Sequence, residues 1–364
     1  MLKDAIDLTA LHRVLVIKLR HHGDVLLASP LFGVLKNRAP HLEIDALVYR
    51  DTAEMLTLHP AISQVHTIDR NWKRAGLPAQ FRAEWRLLSR LWERHYDLVI
   101  HLTEHPRGAW LTRLLDVRYG VAEKLGGKGR FWRNSFTHFF SFPGARLRHR
   151  VELNLDALRR IGVYPGEEER RLVLVAGAEA EADIERILEK HGLCGQDFIH
   201  FHPPSRWQFK CWPEEKMTAL VAQLQAEGQR IVLSAAPSAD EIAMVRRIIA
   251  PLAAQPVNLS GQLSLKQLAA LTARAKLFVG VDSAPMHIAA AMGAPCVALF
   301  GPSGDQEWGP WRTPHRIVTS GHSCRPCGND GCGGGKVADC LETISVAQVL
   351  AAIHEVMREA MGDE

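Results

Sequence analysis

The sequence predicts an α/β protein built from two doubly wound domains. Its 364 residues exceed what one ordinary core holds and suit two domains of roughly 150 to 200 residues each. Short apolar strands alternate with amphipathic helices along the chain, which is typical of parallel sheets covered by helices on both faces. The alternation also restarts near residue 197, as expected for a second domain.

In the first half, the pattern predicts a compact series of strands and helices. Strands are predicted at 13–19, 43–49, 64–68 and 97–101, and helices at 24–37 and 77–95. The first apolar run carries Lys18 and is too short for an export signal, and no window approaches the roughly 18 apolar residues of a membrane span. We therefore expect a cytoplasmic protein whose membrane contact is peripheral.

The second half has the same pattern in a more regular form. Strands are predicted at 197–201, 230–234, 257–259, 276–281 and 295–300, and helices at 213–228, 240–249, 265–274 and 284–292. Because open α/β sheets bind ligands at the carboxyl ends of their strands, we expect the two domains to face a cleft that holds the site.

Polar, weakly patterned sequence between residues 165 and 195 separates the halves. It predicts an N-terminal domain at 1–180 and a C-terminal domain at 181–344. A final helix is predicted at 345–359, and we expect this C-terminal segment, 345–364, to pack back on the N-terminal domain.

The first candidate for chemistry is Asp24, which follows the first predicted strand and opens a helix. Such an aspartate can cap free backbone N–H groups. At the carboxyl end of a strand it can also remove a proton from an alcohol acceptor. Arg20, His21 and His22 next to it would place positive charge near a phosphorylated acceptor.

The second candidate is the strand-to-helix turn at residues 280–287. Asp282 ends an apolar strand, and Ser283 and Ala284 begin a helix whose N–H groups and dipole suit a diphosphate. Asp282 could accept hydrogen bonds from sugar hydroxyls, and His287 could reach a phosphate. The alternatives are a capping role for Asp282 and an ordinary core position for His287.

Further polar groups follow other strands of the second domain. After the strand at 197–201, a basic loop offers a hydroxyl and two cations to a nucleotide diphosphate. Asp240 or Glu241 could bind a ribose, although acids at a helix start more often serve the helix itself. The donor-binding candidates outside the turn at 280–287 are Ser205, Arg206, Lys210, Asp240, Glu241 and Leu263.

The chain has no Gly-x-Gly-x-x-Gly after its first strand, no P-loop and no Gly-x-Ser-x-Gly elbow, which argues against a dehydrogenase, a P-loop kinase and an α/β-hydrolase.

Instead, its segments resemble glycosyltransferase family 9, the ADP-heptose lipopolysaccharide heptosyltransferases. Gly23-Asp24 resembles the first motif of that family, and residues 280–287 resemble its donor-binding motif. The sequences Leu-Arg-His-His-Gly-Asp (19–24) and Phe-Lys-Cys-Trp (209–212) are most similar to heptosyltransferase III members.

This resemblance implies a GT-B fold and an inverting single displacement, with ADP-heptose as donor and a heptose of the phosphorylated lipopolysaccharide inner core as acceptor. Asp24 would be the general base. The diphosphate would contact Lys210, Ser205, His287 and the backbone of residues 283 and 284. Asp282 would bind the heptose, Asp240 or Glu241 the ribose, and Leu263 the adenine. No metal cofactor is implied for catalysis.

A basic, aromatic-rich segment at residues 123–150, with Glu123 as its one acid, is a candidate acceptor surface. Its cations are Lys124, Lys128, Arg130, Arg133, Arg146, Arg148 and Arg150. One interpretation is a patch for an anionic glycolipid on the inner face of the inner membrane; the other is a solvated loop beside a strand. Arg107 is a further acceptor candidate. We expect no nucleic-acid partner.

Four clustered cysteines, Cys324, Cys327, Cys332 and Cys340, offer thiolate ligands at spacings that permit structural zinc. Unliganded thiols or disulfides are the alternatives.

Two other functions are also compatible with the sequence. A GT-B-like nucleotide-sugar epimerase would process its sugar without an acceptor, so acceptor-dependent release of ADP separates it from a transferase. A non-catalytic binding protein would not require Asp24.

Overall fold

The computed structural model describes residues 3–74, 76–142 and 147–361. The chain forms two compact units, Met1–Val175 and Ala176–Glu364, so the boundary lies a few residues before residue 180. Arg146 of the predicted acceptor surface and residues 362–364 of the predicted C-terminal segment lie outside the described residues.

The first unit contains a six-stranded parallel sheet. Its strands are β1 (Arg13–Ile17), β2 (Glu43–Tyr49), β3 (Gln64–Ile68), β4 (Leu98–His101), β5 (Tyr119–Glu123) and β6 (His138–Phe140). Its helices are α1 (His22–Leu26), α2 (Ser29–Arg38), α3 (Leu77–Trp92), α4 (Pro106–Leu114), α5 (Arg130–Arg133) and α6 (Arg150–Arg160). Short 3-10 turns cover Leu8–Ala10, Arg50–Met55, Arg70–Arg74 and Glu168–Arg170.

The second unit contains another six-stranded parallel sheet. Its strands are β7 (Ile199–His202), β8 (Ile231–Leu233), β9 (Val257–Asn258), β10 (Leu277–Val281), β11 (Cys296–Leu299) and β12 (His315–Val318). Its helices are α7 (Ala178–Lys190), α8 (Glu214–Ala226), α9 (Ala239–Ile249), α10 (Leu265–Ala273), α11 (Ala284–Ala291), α12 (Asp305–Trp308), α13 (Asp339–Glu342) and α14 (Val346–Met361).

Both sheets are doubly wound, as the sequence predicts. The strand order is β3-β2-β1-β4-β5-β6 in the first unit and β12-β11-β10-β7-β8-β9 in the second. In each sheet the order reverses between two central neighbours, where Val14 pairs with Leu98 and Phe278 pairs with His200. Ligands of such sheets bind beyond the carboxyl ends of the strands at this reversal. We therefore expect the functional residues in the loops after β1, β4, β7 and β10.

The predicted helix at 24–37 is two helices in the structure. α1 ends at Leu26 and α2 begins at Ser29, with Pro30 in the first turn of α2. Proline has no N–H to continue the hydrogen-bond ladder of the preceding turn, so the chain restarts its helix there. The break leaves Asp24 on a separate five-residue helix directly after β1.

The last helix packs within the second unit, whereas we expect it on the first domain from the sequence. Val349, Ile353 and Val356 of α14 are fully buried in the core that also contains Leu220 of α8 and Val318 of β12. This apolar stripe has the spacing of one helix face, and α14 packs against α8, β11 and β12 of the second unit. None of the described helices is both long and apolar enough to cross a bilayer.

Candidate active site

The loop after β1 carries the predicted base. Asp24 lies in the first turn of α1, whose N-cap residue is His21. No side-chain hydrogen bond caps this helix among the described residues, so the structure gives no support to a capping role for Asp24. The half-buried Asp24 carboxylate also forms no hydrogen bond or close ion pair with any residue in the described ranges. Its oxygens are therefore available to a ligand.

Lys18 lies at the end of β1 and is 4% exposed. Its ammonium donates hydrogen bonds to the Leu102 carbonyl (3.3 Å) and to Asn154 Oδ1 (3.0 Å), and Asn154 Nδ2 donates to the Leu27 carbonyl (2.9 Å). Burial lowers the pKa of Lys18 to about 8, although the negative charge of Asp24 acts in the opposite direction. A buried cation thus lies beside the free carboxylate.

Glu123, at the end of β5, belongs to the same group of charges. Burial raises the pKa of this half-buried carboxyl, and the positive charges of Arg150, Lys18 and Arg20 oppose the shift. Near it, the hydroxyl of Thr103 after β4 is buried without a hydrogen-bond partner among the residues described. Neither Lys18 nor Glu123 is among the site residues predicted from the sequence, although a lysine at the end of an apolar strand is a signal for the first.

The three basic residues predicted beside Asp24 all lie at this edge of the first sheet. Arg20 pairs with Glu104 at 2.6 Å, and both side chains are about half exposed. A ring nitrogen of His22 lies 2.8 Å from the Asp51 carbonyl oxygen, and His21 is exposed. An exposed ion pair contributes only about 0 to 1 kcal/mol, so an anionic acceptor could displace Glu104 from Arg20.

The other predicted acceptor residues differ in their surroundings. The Arg107 guanidinium donates to Glu84 Oε1 at 2.5 Å, which joins α4 to α3. Arg130 and Arg133 are exposed at the two ends of α5. Within the basic segment, Arg148 forms a two-pronged pair with Asp156 at 2.7 and 2.9 Å. The segment is therefore partly neutralised by its own contacts.

In the second unit, two predicted donor residues form one contact. Lys210 Nζ, from the loop after β7, lies 2.6 Å from Asp282 Oδ2, at the end of β10. The side chains are 22% and 7% exposed, respectively. The topology explains the contact, because β7 and β10 are neighbours at the strand reversal. The pair lies where a doubly wound sheet binds its ligand.

The N-terminus of α11 is next to this pair. Ser283 is its N-cap residue and Ala284 its first residue, and Pro285 follows in the first turn. The Ser283 hydroxyl oxygen is buried and has no hydrogen-bond partner among the described residues. An unpartnered hydroxyl beside the positive end of a helix fits an anionic ligand group. His287 is buried on the same helix.

The basic loop after β7 contains the two remaining candidates of that segment. Ser205 Oγ accepts a hydrogen bond from the Trp207 N–H at 3.3 Å, and the Ser205 N–H donates to Cys211 Sγ at 3.2 Å. Arg206 is exposed, with its guanidinium 5.4 Å from the centre of the Trp207 indole. The hydrogen bonds of Ser205 therefore shape this loop.

The structure distinguishes the two acids offered for a ribose. Glu241 is half-buried, its Oε2 accepts the Ala236 N–H at 3.0 Å, and burial raises its pKa. Asp240 is exposed on α9. Leu263 is partly buried just before α10. Glu241 thus lies against the loop after β8, whereas Asp240 faces solvent.

A buried hydrogen-bonded chain supports these loops and was not identified from the sequence. Ser234 Oγ lies 2.6 Å from His200 Nε2 and 2.8 Å from His202 Nδ1, and His200 Nδ1 lies 3.0 Å from Thr272 Oγ1. Burial lowers the pKa of both histidines to about 3, so they are neutral. This hydrogen-bonded network fixes the carboxyl ends of β7 and β8, where the loops with the predicted donor residues begin.

The four cysteines of the predicted zinc site differ in their exposure. Cys324 and Cys332 are exposed, Cys327 is intermediate and Cys340 is buried. Burial raises the pKa of the Cys340 thiol, and the three other cysteines act in the same direction. Nowhere in the described ranges do three or more His, Cys, Asp or Glu side chains form a group that could hold a metal ion.

Comparisons with known proteins agree with this geometry. The family model of glycosyltransferase family 9 (heptosyltransferase) matches residues 84–338, more than half of the chain. Lipopolysaccharide heptosyltransferase 3 of Escherichia coli is 34% identical over 305 residues, which cover 80% of this chain and 84% of that protein.

Solved structures show the same fold. The family 9 glycosyl transferase of Veillonella parvula superposes with a TM-score of 0.84 at 23% identity, covering 98% of this chain and all of that one. E. coli heptosyltransferase WaaC with ADP-2-deoxy-2-fluoro heptose gives a TM-score of 0.71 at 21% identity, covering 94% and 99%. Two doubly wound sheets of this kind confirm the expected GT-B class. The chain is a glycosyltransferase and belongs to family 9, the heptosyltransferases.

Proposed function

We propose that this enzyme transfers a heptose, with inversion, from ADP-heptose to a heptose of the lipopolysaccharide inner core. The observation that carries the proposal is the free Asp24 carboxylate at the strand reversal of the first sheet, beside the buried ammonium of Lys18. The relative named lipopolysaccharide heptosyltransferase 3 supports the choice of sugar and acceptor. Family membership favours a transferase over the epimerase considered from the sequence.

In the proposed reaction, Asp24 takes the proton from an acceptor hydroxyl as its oxygen attacks the anomeric carbon of the heptose. The bond from that carbon to the diphosphate oxygen breaks on the opposite face, and ADP leaves with the electron pair. A positioned carboxylate base contributes typically about 10²- to 10⁴-fold to such a step. The scheme assigns no step to a metal ion.

The donor would bind to the second unit. Lys210, Ser283, His287 and the N–H groups at the start of α11 would hold the diphosphate and stabilise its charge as ADP leaves. Asp282 would accept hydrogen bonds from heptose hydroxyls. Ser205, Arg206, Glu241 and Leu263 would complete the contacts to the nucleotide. The buried, unpartnered Ser283 hydroxyl supports this assignment.

The acceptor would bind to the first unit. Arg20, His21, His22, Arg130 and Arg133 would contact its phosphates, because they are the predicted basic residues at or near the exposed edge of that sheet. The enzyme would act in the cytoplasm, in peripheral contact with the anionic inner face of the inner membrane. Its lipid-linked acceptor is the reason to expect that location.

The test is incubation with ADP-heptose and truncated core glycolipids, followed by mass analysis of the product. We expect a gain of one heptose that depends on the acceptor. Asp24→Asn should lower turnover at least about 10²-fold and leave calorimetric ADP affinity within about twofold. Asp116→Asn makes the same change at an exposed loop carboxylate and should behave as wild type. Normal turnover of Asp24→Asn, or a loss of ADP binding equal to its loss of turnover, would contradict the assigned role.

A further inference from the structure

Large apolar side chains are concentrated on one surface of the first unit. Leu77, Phe81 and Trp85 of α3 are 82%, 71% and 56% exposed, and Trp110 of α4 is 56% exposed. Phe131 of α5 is partly exposed as well. Single exposed apolar residues are normal on protein surfaces, but a contiguous group of aromatic residues marks an interaction site.

The α3 helix has three sectors rather than the usual two. Leu87 and Leu91 point into the core. Leu77, Phe81 and Trp85 are spaced by four residues and form an exposed apolar stripe along one flank, where the rings of Phe81 and Trp85 stack at 6.4 Å. The exposed arginines Arg82, Arg86 and Arg90 have the same spacing and form a third stripe.

The stripe continues across α4 and α5. Both α3 and α4 contribute leucines to one core cluster, so they cover the same face of the sheet. The Arg107–Glu84 ion pair joins the two helices next to Trp85. The Trp110 ring then lies 4.4 Å from the Phe131 ring, on which the guanidinium of Arg113 stacks at 4.9 Å. We call the exposed aromatic residues and arginines of these three helices the aromatic–arginine face.

The charge of this face identifies the kind of partner. The three helices hold seven arginines and one acid, and Arg107 already neutralises that acid, Glu84. A second copy of the same face would bring like charges together, which opposes self-association. Tryptophan and phenylalanine beside arginine match the interface of an anionic bilayer, where aromatic rings lie at headgroup level and arginines contact lipid phosphates.

We propose that the aromatic–arginine face docks the enzyme on the surface of an anionic bilayer. The proposal rests on the proposed function, because a lipid-linked acceptor is what requires the enzyme to work at a membrane. It assigns membrane contact mainly to α3 and α4, and the face shares only α5 with the basic segment at 123–150. Phe81, Trp85 and Trp110 would enter the headgroup region, while Arg82 and Arg86 contact phosphates.

The test is co-sedimentation with phosphatidylcholine vesicles with and without phosphatidylglycerol. Wild type should bind the anionic vesicles and bind the neutral vesicles much more weakly. Phe81→Ser/Trp85→Ser should lower the partition coefficient about tenfold or more, because burial of aromatic area is lost. Arg82→Gln/Arg86→Gln should lower it about fivefold for each cation removed. Tyr164→Ser removes a similarly exposed ring outside the face and is the matched control.

Transfer assays separate this proposal from the proposed function. All four proteins should heptosylate a soluble, delipidated core oligosaccharide at equal rates, whereas the two face variants should be slow on acceptor in vesicles. Unchanged vesicle binding by Phe81→Ser/Trp85→Ser overturns the docking proposal, and so does equally strong binding of wild type to single-stranded RNA. If these variants lose dimers but still bind vesicles, the face binds a second copy of the chain and not the bilayer. If no protein transfers heptose to either acceptor, the proposed function fails while the vesicle data still stand.

Discussion

The contact between Lys210 and Asp282 gives the sharpest prediction for the donor site. Lys210→Met removes the ammonium and leaves the nearly buried Asp282 carboxylate without its partner at 2.6 Å. Two opposite charges 4 Å apart interact by about 4 kcal/mol at an effective dielectric constant of about 20. The Lys210 side chain is 22% exposed, so solvent screens part of this attraction. We therefore take about half of this value.

The loss should appear in ADP affinity through two effects. The variant lacks a charge-assisted hydrogen bond to the diphosphate, and the unneutralised Asp282 repels the same group. Together we expect about 2 to 3 kcal/mol, or roughly 30- to 150-fold weaker binding in a calorimetric titration with ADP. Adding Asp282→Asn removes the repulsion, so the double variant should regain about 1 kcal/mol, or roughly fivefold.

The double-mutant cycle also defines how the reasoning fails. If Lys210→Met binds ADP within about twofold of wild type, the ammonium does not contact the diphosphate. If Asp282→Asn weakens the single variant further instead of restoring affinity, Asp282 is not a source of repulsion and its pairing with Lys210 has another purpose. Lys216→Met, on α8 of the same unit, is the control for loss of a lysine outside the site.

Two further predictions concern buried titratable groups. Glu241→Gln should weaken ADP binding about tenfold, whereas Asp240→Asn, at the exposed neighbouring residue, should change ADP affinity by no more than about twofold. If Asp240→Asn has the larger effect in the same titration, Asp240 and not Glu241 contacts the ribose. The pKa of Lys18 is about 8 in the folded chain and ordinarily 10.5, so the folded protein binds fewer protons between these values and its stability rises with pH. Urea titrations should give wild type a gain of about 2 kcal/mol from about pH 7.5 to about pH 9.5 relative to Lys18→Met, and parallel curves for the two proteins would show that Lys18 titrates normally.

The sequence predicted five of the six strands of the second sheet, missing β12, and four of the six strands of the first, missing β5 and β6. Between residues 101 and 165 it predicted no strand or helix, although the structure has two strands and three helices there. β6 has three residues and includes His138, and β5 contains Gly120, where a Cβ would lie 2.9 Å from the Thr112 methyl group. Such short strands are specified by their neighbours in the sheet and not by their own pattern.

The sequence provided candidate site residues but not the contacts between them. Lys210 and Asp282 were both candidates, yet their pairing depends on β7 and β10 being neighbours, which no local motif encodes. Arg107 was a candidate for binding the acceptor, and its pairing with Glu84 follows from the packing of α4 beside α3. The exposed rings of α3 were assigned only to an amphipathic helix, because periodicity alone does not reveal which flank the sheet covers.

Two candidate aspartates looked equivalent in sequence and have different surroundings in the structure. Both Asp24 and Asp282 follow an apolar strand and precede a helix. Asp282 Oδ2 accepts a hydrogen bond from the Lys210 ammonium at 2.6 Å. Asp24 has no such donor among the residues described, and Lys18, whose charge acts on it, donates its hydrogen bonds to Leu102 and Asn154. A base must accept a proton without first giving up a partner, so these surroundings support the proposed roles of Asp24 in proton transfer and of Asp282 in sugar binding.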